Sequence, residues 1–257
     1  MIGIFDSGVG GLTVVKELKR LLPEAGFIYL GDNARTPYGN RSRETIEKYA
    51  KEDVDFLIAK GAKVIVVACN TASALAGEFL KNNYDLPIFN VIEPAAKRAV
   101  EVSRGRIGVI GTRGTVGSGA YEKAIKKNNS ELKVFSRACP LLVPLIEEDC
   151  LSRKETKTIL KKYLQPLKTG NIDTLILGCT HYPLLKELIK VKIGRRVALV
   201  DPAEEVIKQL QQFLSDSLDF TGSQDFSDFY ITDTDSRFKV LAEKWLGEKV
   251  NLNKISL

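Results

Sequence analysis

One histidine, one methionine and one tryptophan occur in 257 residues, and cysteine occurs only four times. A lone His181 has no second imidazole to join it, so an ordinary metal site is not expected. Cys69, Cys139, Cys150 and Cys179 contain no C-x-x-C pair, which excludes a zinc ribbon or a thioredoxin-type dithiol. In a chain read as cytosolic, four cysteines also argue against a disulfide framework. No apolar run approaches the roughly 20 residues that cross a bilayer. The chain opens with a strand pattern, MIGIFDSG, rather than a leader, so a cytoplasmic protein without a membrane partner is expected. The formal charge is +6, but lysine and arginine are scattered among glutamates along helical segments such as KELIKVKIGRR. No basic stripe interleaved with aromatics appears, so no nucleic-acid partner is expected.

What the chain does have is a regular alternation of strand and helix patterns. IGIF, FIYL, VIVVA, IFNVI, RIGVIGT, KVFSRA, TLILG, VALVD and FYIT read as strands, several of them continuous β-branched runs typical of buried parallel sheet. Between them lie helical patterns, such as Ile46, Ala50, Val54 and Leu57 ended by Gly61. Ser152 and Glu155 stand at capping-box spacing before a helix that Pro166 should kink or end. Asp201, Pro202 and Glu204 supply N-cap, N1 and N3 of another. TRGTVGSG reads as a glycine-bearing turn, and a helix holding Trp245 should close the chain. The class is therefore α/β. GIFDSGVGG is echoed by GVIGTRGTVGSG, and VIVVACNTAS by TLILGCTHYP, which predicts two pseudosymmetric parallel-sheet α/β domains facing each other across an active-site cleft. Residues 1–93 plus 206–257 would form the first, and 94–205 the second.

The echoed stretches place Cys69 and Cys179 each at the carboxyl end of a strand, where open α/β sheets bind ligands. A predicted helix follows each thiol, and a helix N-terminus can lower a thiol pKa from its ordinary value, about 8.5, toward neutrality. Two such groups on opposite walls can remove a proton from one face of a carbon and deliver one to the other. The outcome is stereoinversion at an acidic C–H centre. Asp6 ends the strand expected beside Cys69, and His181 lies two residues beyond Cys179, so each thiol has a candidate helper. Alone, His181 would read as a capping or packing residue. Cys139 and Cys150 read as small, half-buried thiols without chemistry.

The surrounding polar residues suit a small anionic amino acid. DSGVGG offers backbone N–H groups and Ser7 at a helix N-terminus, a place for a carboxylate. Asn70, Thr71 and Thr180 add donors beside the thiols. The stretch is no dinucleotide fingerprint, since Thr13 and Val14 stand where the third glycine belongs, and it lacks the Gly-Lys-Ser/Thr ending of a phosphate loop.

DSGVGGLTV, GDNARTPYG, ACNTASA, CPLLVPLIEE and LGCTHYP, in this order and over essentially the whole chain, resemble the glutamate racemases of the aspartate/glutamate racemase superfamily. The resemblance implies interconversion of L- and D-glutamate for peptidoglycan, two alternating cysteine bases, no cofactor, no metal and a homodimer. Carried over by motif, Cys69 and Cys179 would serve opposite faces of the α-carbon, with Asp6 and His181 as helpers. Asp6, Ser7, Tyr38, Gly39, Asn70, Thr71, Thr180 and His181 would line the substrate. A family glutamate falls on Glu147 or Glu148, and the family's usual glycine after that pair is Asp149 here. The rival readings are a racemase of another acidic amino acid, such as aspartate, and a two-lobed binding protein without catalysis.

Overall fold

The computed structural model describes residues 1–216 and 226–257. Among them, chain order gives the strands β1 (Ile2–Asp6), β2 (Phe27–Gly31), β3 (Val64–Val67), β4 (Ile88–Asn90), β5 (Arg106–Gly111), β6 (Lys133–Ala138), β7 (Thr174–Gly178), β8 (Ala198–Val200), β9 (Ser227–Ile231) and β10 (Leu252–Lys254). They form two parallel sheets, one ordered β10-β9-β2-β1-β3-β4 and the other β6-β5-β7-β8. The expected pair of parallel-sheet α/β domains is what the chain builds.

The central strands β1, β2, β3 and β7 are buried at every position, as their unbroken apolar runs require. Alternation then decides which side each residue serves. Along β3, Val64 and Val66 enter a core shared by both domains, while Ile65 and Val67 enter a second core beneath the helix Arg43–Ala59. Each fully buried aliphatic side chain of this kind contributes about 1.5–3 kcal/mol. The chain passes between the sheets twice, through the helices Ile92–Val102 and Pro202–Asp216, which pack on each other. Asp201 caps the second through a bond from Ala203 N to its Oδ1 at 3.1 Å.

Some local expectations change. TRGTVGSG is not a bare turn: Arg113–Gly117 is a short helix, capped by the Thr112 hydroxyl, which accepts from Thr115 N at 3.1 Å. Ser152 caps nothing, because the helix Lys154–Thr169 starts later, with Arg153 in the extended cap position. Pro166 lies inside that helix, which runs three residues further to Thr169, and its carbonyl still accepts from Gly170 N. The helix Ser236–Leu246, which carries Trp245, is followed by β10 on the sheet edge. Three residues with two polar side chains give too little pattern to be read as a strand.

Gly178 lets β5 and β7 approach at the tip that delivers Cys179. A Cβ there would lie 2.6 Å from the Ile110 carbonyl oxygen and 3.0 Å from the Tyr121 ring. Backbone cannot yield as a side-chain end can, so Gly178→Ala should cost about 1–3 kcal/mol, as overpacking does. Chemical denaturation of the two proteins measures it, and equal midpoints would show that the tip has room.

Candidate active site

Cys69 stands where β3 hands over to the helix Asn70–Asn83. The ladder continues one residue past the strand, Ala68 N donating to Phe5 O at 2.9 Å, so Cys69 emerges at the sheet's carboxyl edge. As N-cap it accepts from Ala72 N at 3.5 Å, and its thiol donates to Ser7 Oγ at 3.5 Å. The helix was expected to draw this thiol toward neutrality, yet the opposite holds. Burial, reinforced by the charge of Asp6, pushes it up to about 12, against the bonds from Ala72 and Ser7. A helix terminus is worth about 0.3–1 kcal/mol, too little to offset the desolvation of a wholly enclosed thiolate.

Cys179 follows β7 directly, but what comes after it is a 3₁₀ turn, Tyr182–Leu185, and not an α-helix N-terminus. Its partner is a side chain instead. His181 Nδ1 lies 3.8 Å from the sulfur, and Glu147 Oε1 lies 2.9 Å from His181 Nε2. The two candidate glutamates separate here: Glu147 faces the imidazole, whereas Glu148 turns outward to pair with Arg237. Burial alone would lower the His181 pKa, but its bonds to Cys179 and Glu147 prevail and hold it at about 10. The imidazolium therefore contributes stability that is fully present below 6.5 and lost as pH rises through about 10. Trp245 closes the far side of the ring, edge-on, with centroids 5.7 Å apart.

The two walls meet. Thr180 Oγ donates to Asp6 Oδ1 at 3.3 Å, and Thr13 Oγ donates to the Thr180 carbonyl at 2.9 Å. A Cβ on Gly10 would lie 2.5 Å from the His181 ring, so only glycine allows the DSGVGG loop this close to the opposite domain. Tyr121 donates to Asn70 Oδ1 at 2.6 Å, and the Thr71 hydroxyl lies 2.9 Å from that of Thr112. Asp6 has no exposed surface. Burial raises its carboxyl to about 6, with His181, the Gly11 and Gly8 amides and the Thr180 hydroxyl working against the rise.

Tyr38 and Gly39 arrive on the 3₁₀ turn Tyr38–Asn40, which packs on the helix Arg113–Gly117 of the second domain. The Tyr38 hydroxyl reaches back into the first domain, to Asp32 and Asp53, and not toward the thiols. Asp149 takes φ +52°, a left-handed conformation that favours glycine, and Lys244 holds both its oxygens at 2.7 Å. Cys139 is fully buried and pushed up to about 12, chiefly by burial, which suits an inert thiol. Sequence reading missed Tyr121, Thr112, Thr115 and Trp245 as neighbours of the site. Thr13 was noticed only as the residue that spoils a dinucleotide fingerprint, and it proves to bridge the two domains.

Residues 2–210 match the Asp/Glu/Hydantoin racemase family, and the chain belongs to it. It is 48% identical over 252 residues to the glutamate racemase of Geobacter metallireducens, covering 97% of this chain and 93% of that one. The structure of glutamate racemase isoform RacE1 from Bacillus anthracis superposes with a TM-score of 0.95 at 41% identity, over 100% of this chain and 97% of that one. Glutamate racemase from Francisella tularensis, solved in complex with D-glutamate, gives 0.92 at 40% identity over 99% and 97% of the two chains.

Because His181 is the sole histidine, its ring protons can be followed by NMR without assignment. The titration midpoint should lie near 10, fall in Glu147→Gln and stay in place in Glu148→Gln. A midpoint that moves with Glu148 and ignores Glu147 would reverse the assignment of the two glutamates.

Proposed function

We propose that this chain is a glutamate racemase in which Cys69 and Cys179 exchange protons on opposite faces of the glutamate α-carbon. What carries the reading is the placement of two thiols at the tips of β3 and β7, on different sheets, each with its own polar partner. Full-length similarity to glutamate racemases, one of them solved with D-glutamate, supplies the substrate. The product enantiomer would serve peptidoglycan synthesis. A homodimer in the cytoplasm belongs to the same reading, resting on the family resemblance. No helix among the described residues is long and apolar enough to cross a membrane.

In one direction Cys179, as thiolate, takes the α-proton, and the Cys69 thiol delivers its own to the opposite face. Inversion leaves the two sulfurs with exchanged roles, ready for the reverse direction. Burial keeps the Cys69 thiol protonated, so it has a proton to deliver. His181, protonated and anchored by Glu147, steadies the charge beside Cys179. Ser7, Asn70, Thr71, Thr180 and the Tyr38–Gly39 backbone would grip the carboxylates and amino group. Cys69 and Cys179 are 5% and 6% exposed, so entry of glutamate would require the domains to part at contacts such as Tyr121–Asn70 and Thr71–Thr112.

Circular dichroism of L-glutamate in deuterated water, with aspartate in parallel, tests the proposal. Loss of optical activity with deuterium at the α-carbon is expected for glutamate, and activity on aspartate alone would refute the substrate. Cys69→Ala and Cys179→Ala should each lower racemisation by about 10²–10⁴-fold or more while the fold survives. Normal racemisation by either variant would end the two-base mechanism.

A further inference from the structure

Behind the Tyr38–Gly39 segment lies a buried cluster that the proposed chemistry does not use. Asp32 and Asp53 have no exposed surface, and the Tyr38 hydroxyl is wedged between them. That hydroxyl lies within hydrogen-bond reach of Asp32 Oδ2 and 3.0 Å from Asp53 Oδ2. Arg35 spans the group, with Nε 2.6 Å from Asp32 Oδ2, one terminal nitrogen 3.1 Å from Asp53 Oδ1 and the other paired with Glu52. Its guanidinium also stacks on the Tyr49 ring, 4.2 Å from the centroid. These are the charged and titratable groups that face Asp53.

Counting protons exposes a shortfall. A phenol has one hydrogen and cannot donate to two carboxylate oxygens at full strength. If both aspartates were ionised, one O···O contact would be bare repulsion inside the protein. Both buried carboxylates would also depend on one guanidinium, which Glu52 shares while Lys48 approaches Glu52 from outside at 3.9 Å. The missing proton belongs on one of the two aspartates, and their acceptor loads differ. Asp32 already receives Arg35 Nε, the Tyr38 hydroxyl and the Thr232 hydroxyl, the last at 2.9 Å on Oδ1. Asp53 receives Arg35 on Oδ1 and presents Oδ2 to the phenol oxygen alone.

We infer that Asp53 is held as the neutral acid and donates through Oδ2–H to the Tyr38 oxygen, making it a positioning residue for the Tyr38–Gly39 segment. The chain of donors then runs one way: Asp53 to Tyr38, Tyr38 to Asp32, with Arg35 balancing Asp32 and Glu52. Burial pushes the Asp53 carboxyl well above its ordinary range, and Asp32 adds to this against the pull of Arg35 and the Tyr38 bond. The inference rests on the reading that Tyr38 and Gly39 line the glutamate site. Through this chain a group on the helix Arg43–Ala59 fixes the turn that meets the second domain.

An asparagine at 53 mimics the neutral acid, since its amide donates to Tyr38 while its oxygen accepts from Arg35. Infrared difference spectra of wild type against Asp53→Asn at neutral pH should show a protonated-carboxyl C=O band that the variant lacks. Asp53→Asn should keep wild-type kcat and KM for L-glutamate, while Asp53→Ala, which leaves the phenol oxygen undonated, should raise KM about tenfold with a smaller change in kcat. If wild type lacks the band and Asp53→Asn is impaired, Asp53 is ionised and the inference is overturned. A band present with KM unmoved in Asp53→Ala would keep the proton but remove Tyr38–Gly39 from the glutamate site. Should Asp53→Ala not fold, the spectra and the Asp53→Asn kinetics still decide the protonation.

Discussion

A carboxylate with no exposed surface, Asp6, sits on the seam between the two domains and interacts with groups on both walls. Burial raises the Cys69 thiol and the charge of Asp6 adds to it, while burial also raises Asp6 and the His181 imidazolium only partly opposes that rise. The pair therefore couples the two walls electrostatically without a direct salt bridge. Neither group would behave this way on an isolated domain. An imidazole facing water would lose the enclosure that strengthens its bond to Glu147, and an exposed Asp6 would ionise at ordinary acidity.

The two cysteines, alike in sequence and almost equally enclosed, differ in their partners. Cys69 is an N-cap whose polar neighbours are a hydroxyl and backbone amides, and desolvation dominates it. Cys179 has a charged relay of imidazole and carboxylate instead. An echo in the primary structure thus produces matched positions but unmatched environments. A two-base reaction needs the two thiols in opposite protonation states at any instant, and each must serve as acid in one direction and base in the other.

The same economy of charge runs through the scaffold behind the site. Buried polar side chains among the described residues all have hydrogen-bond partners, as low-dielectric surroundings demand. The Asp32–Tyr38–Asp53–Arg35 cluster and the Asp6–Thr180–Thr13 contacts do comparable work on the two sides of the cleft. Each ties a loop at a sheet's carboxyl edge to something rigid: the helix Arg43–Ala59 in one case, the opposite domain in the other.

Period and run length were enough to reveal the α/β class, the strand-tip location of both thiols and the place of His181 beside Cys179, because each is a local property of the chain. The side-chain bond of Cys69 goes to Ser7 and not to the expected Asp6. Local signals also gave Asp201 as a cap. They failed where a preference was weak or its outcome depended on neighbours. A three-residue edge strand carries almost no period, and Ser152 in capping-box spacing lost its place to Arg153. Choosing Glu147 over Glu148 needed the helix Leu142–Glu147 to be seen against His181, since adjacent residues on a helix point about 100° apart. Thr112 lies in the TRGTVGSG echo and Tyr121 just beyond it, but only the tertiary structure brings them to Thr71 and Asn70. The pKa of Cys69 was decided by tertiary structure alone, for desolvation depends on everything packed around the sulfur and nothing in its local sequence records that.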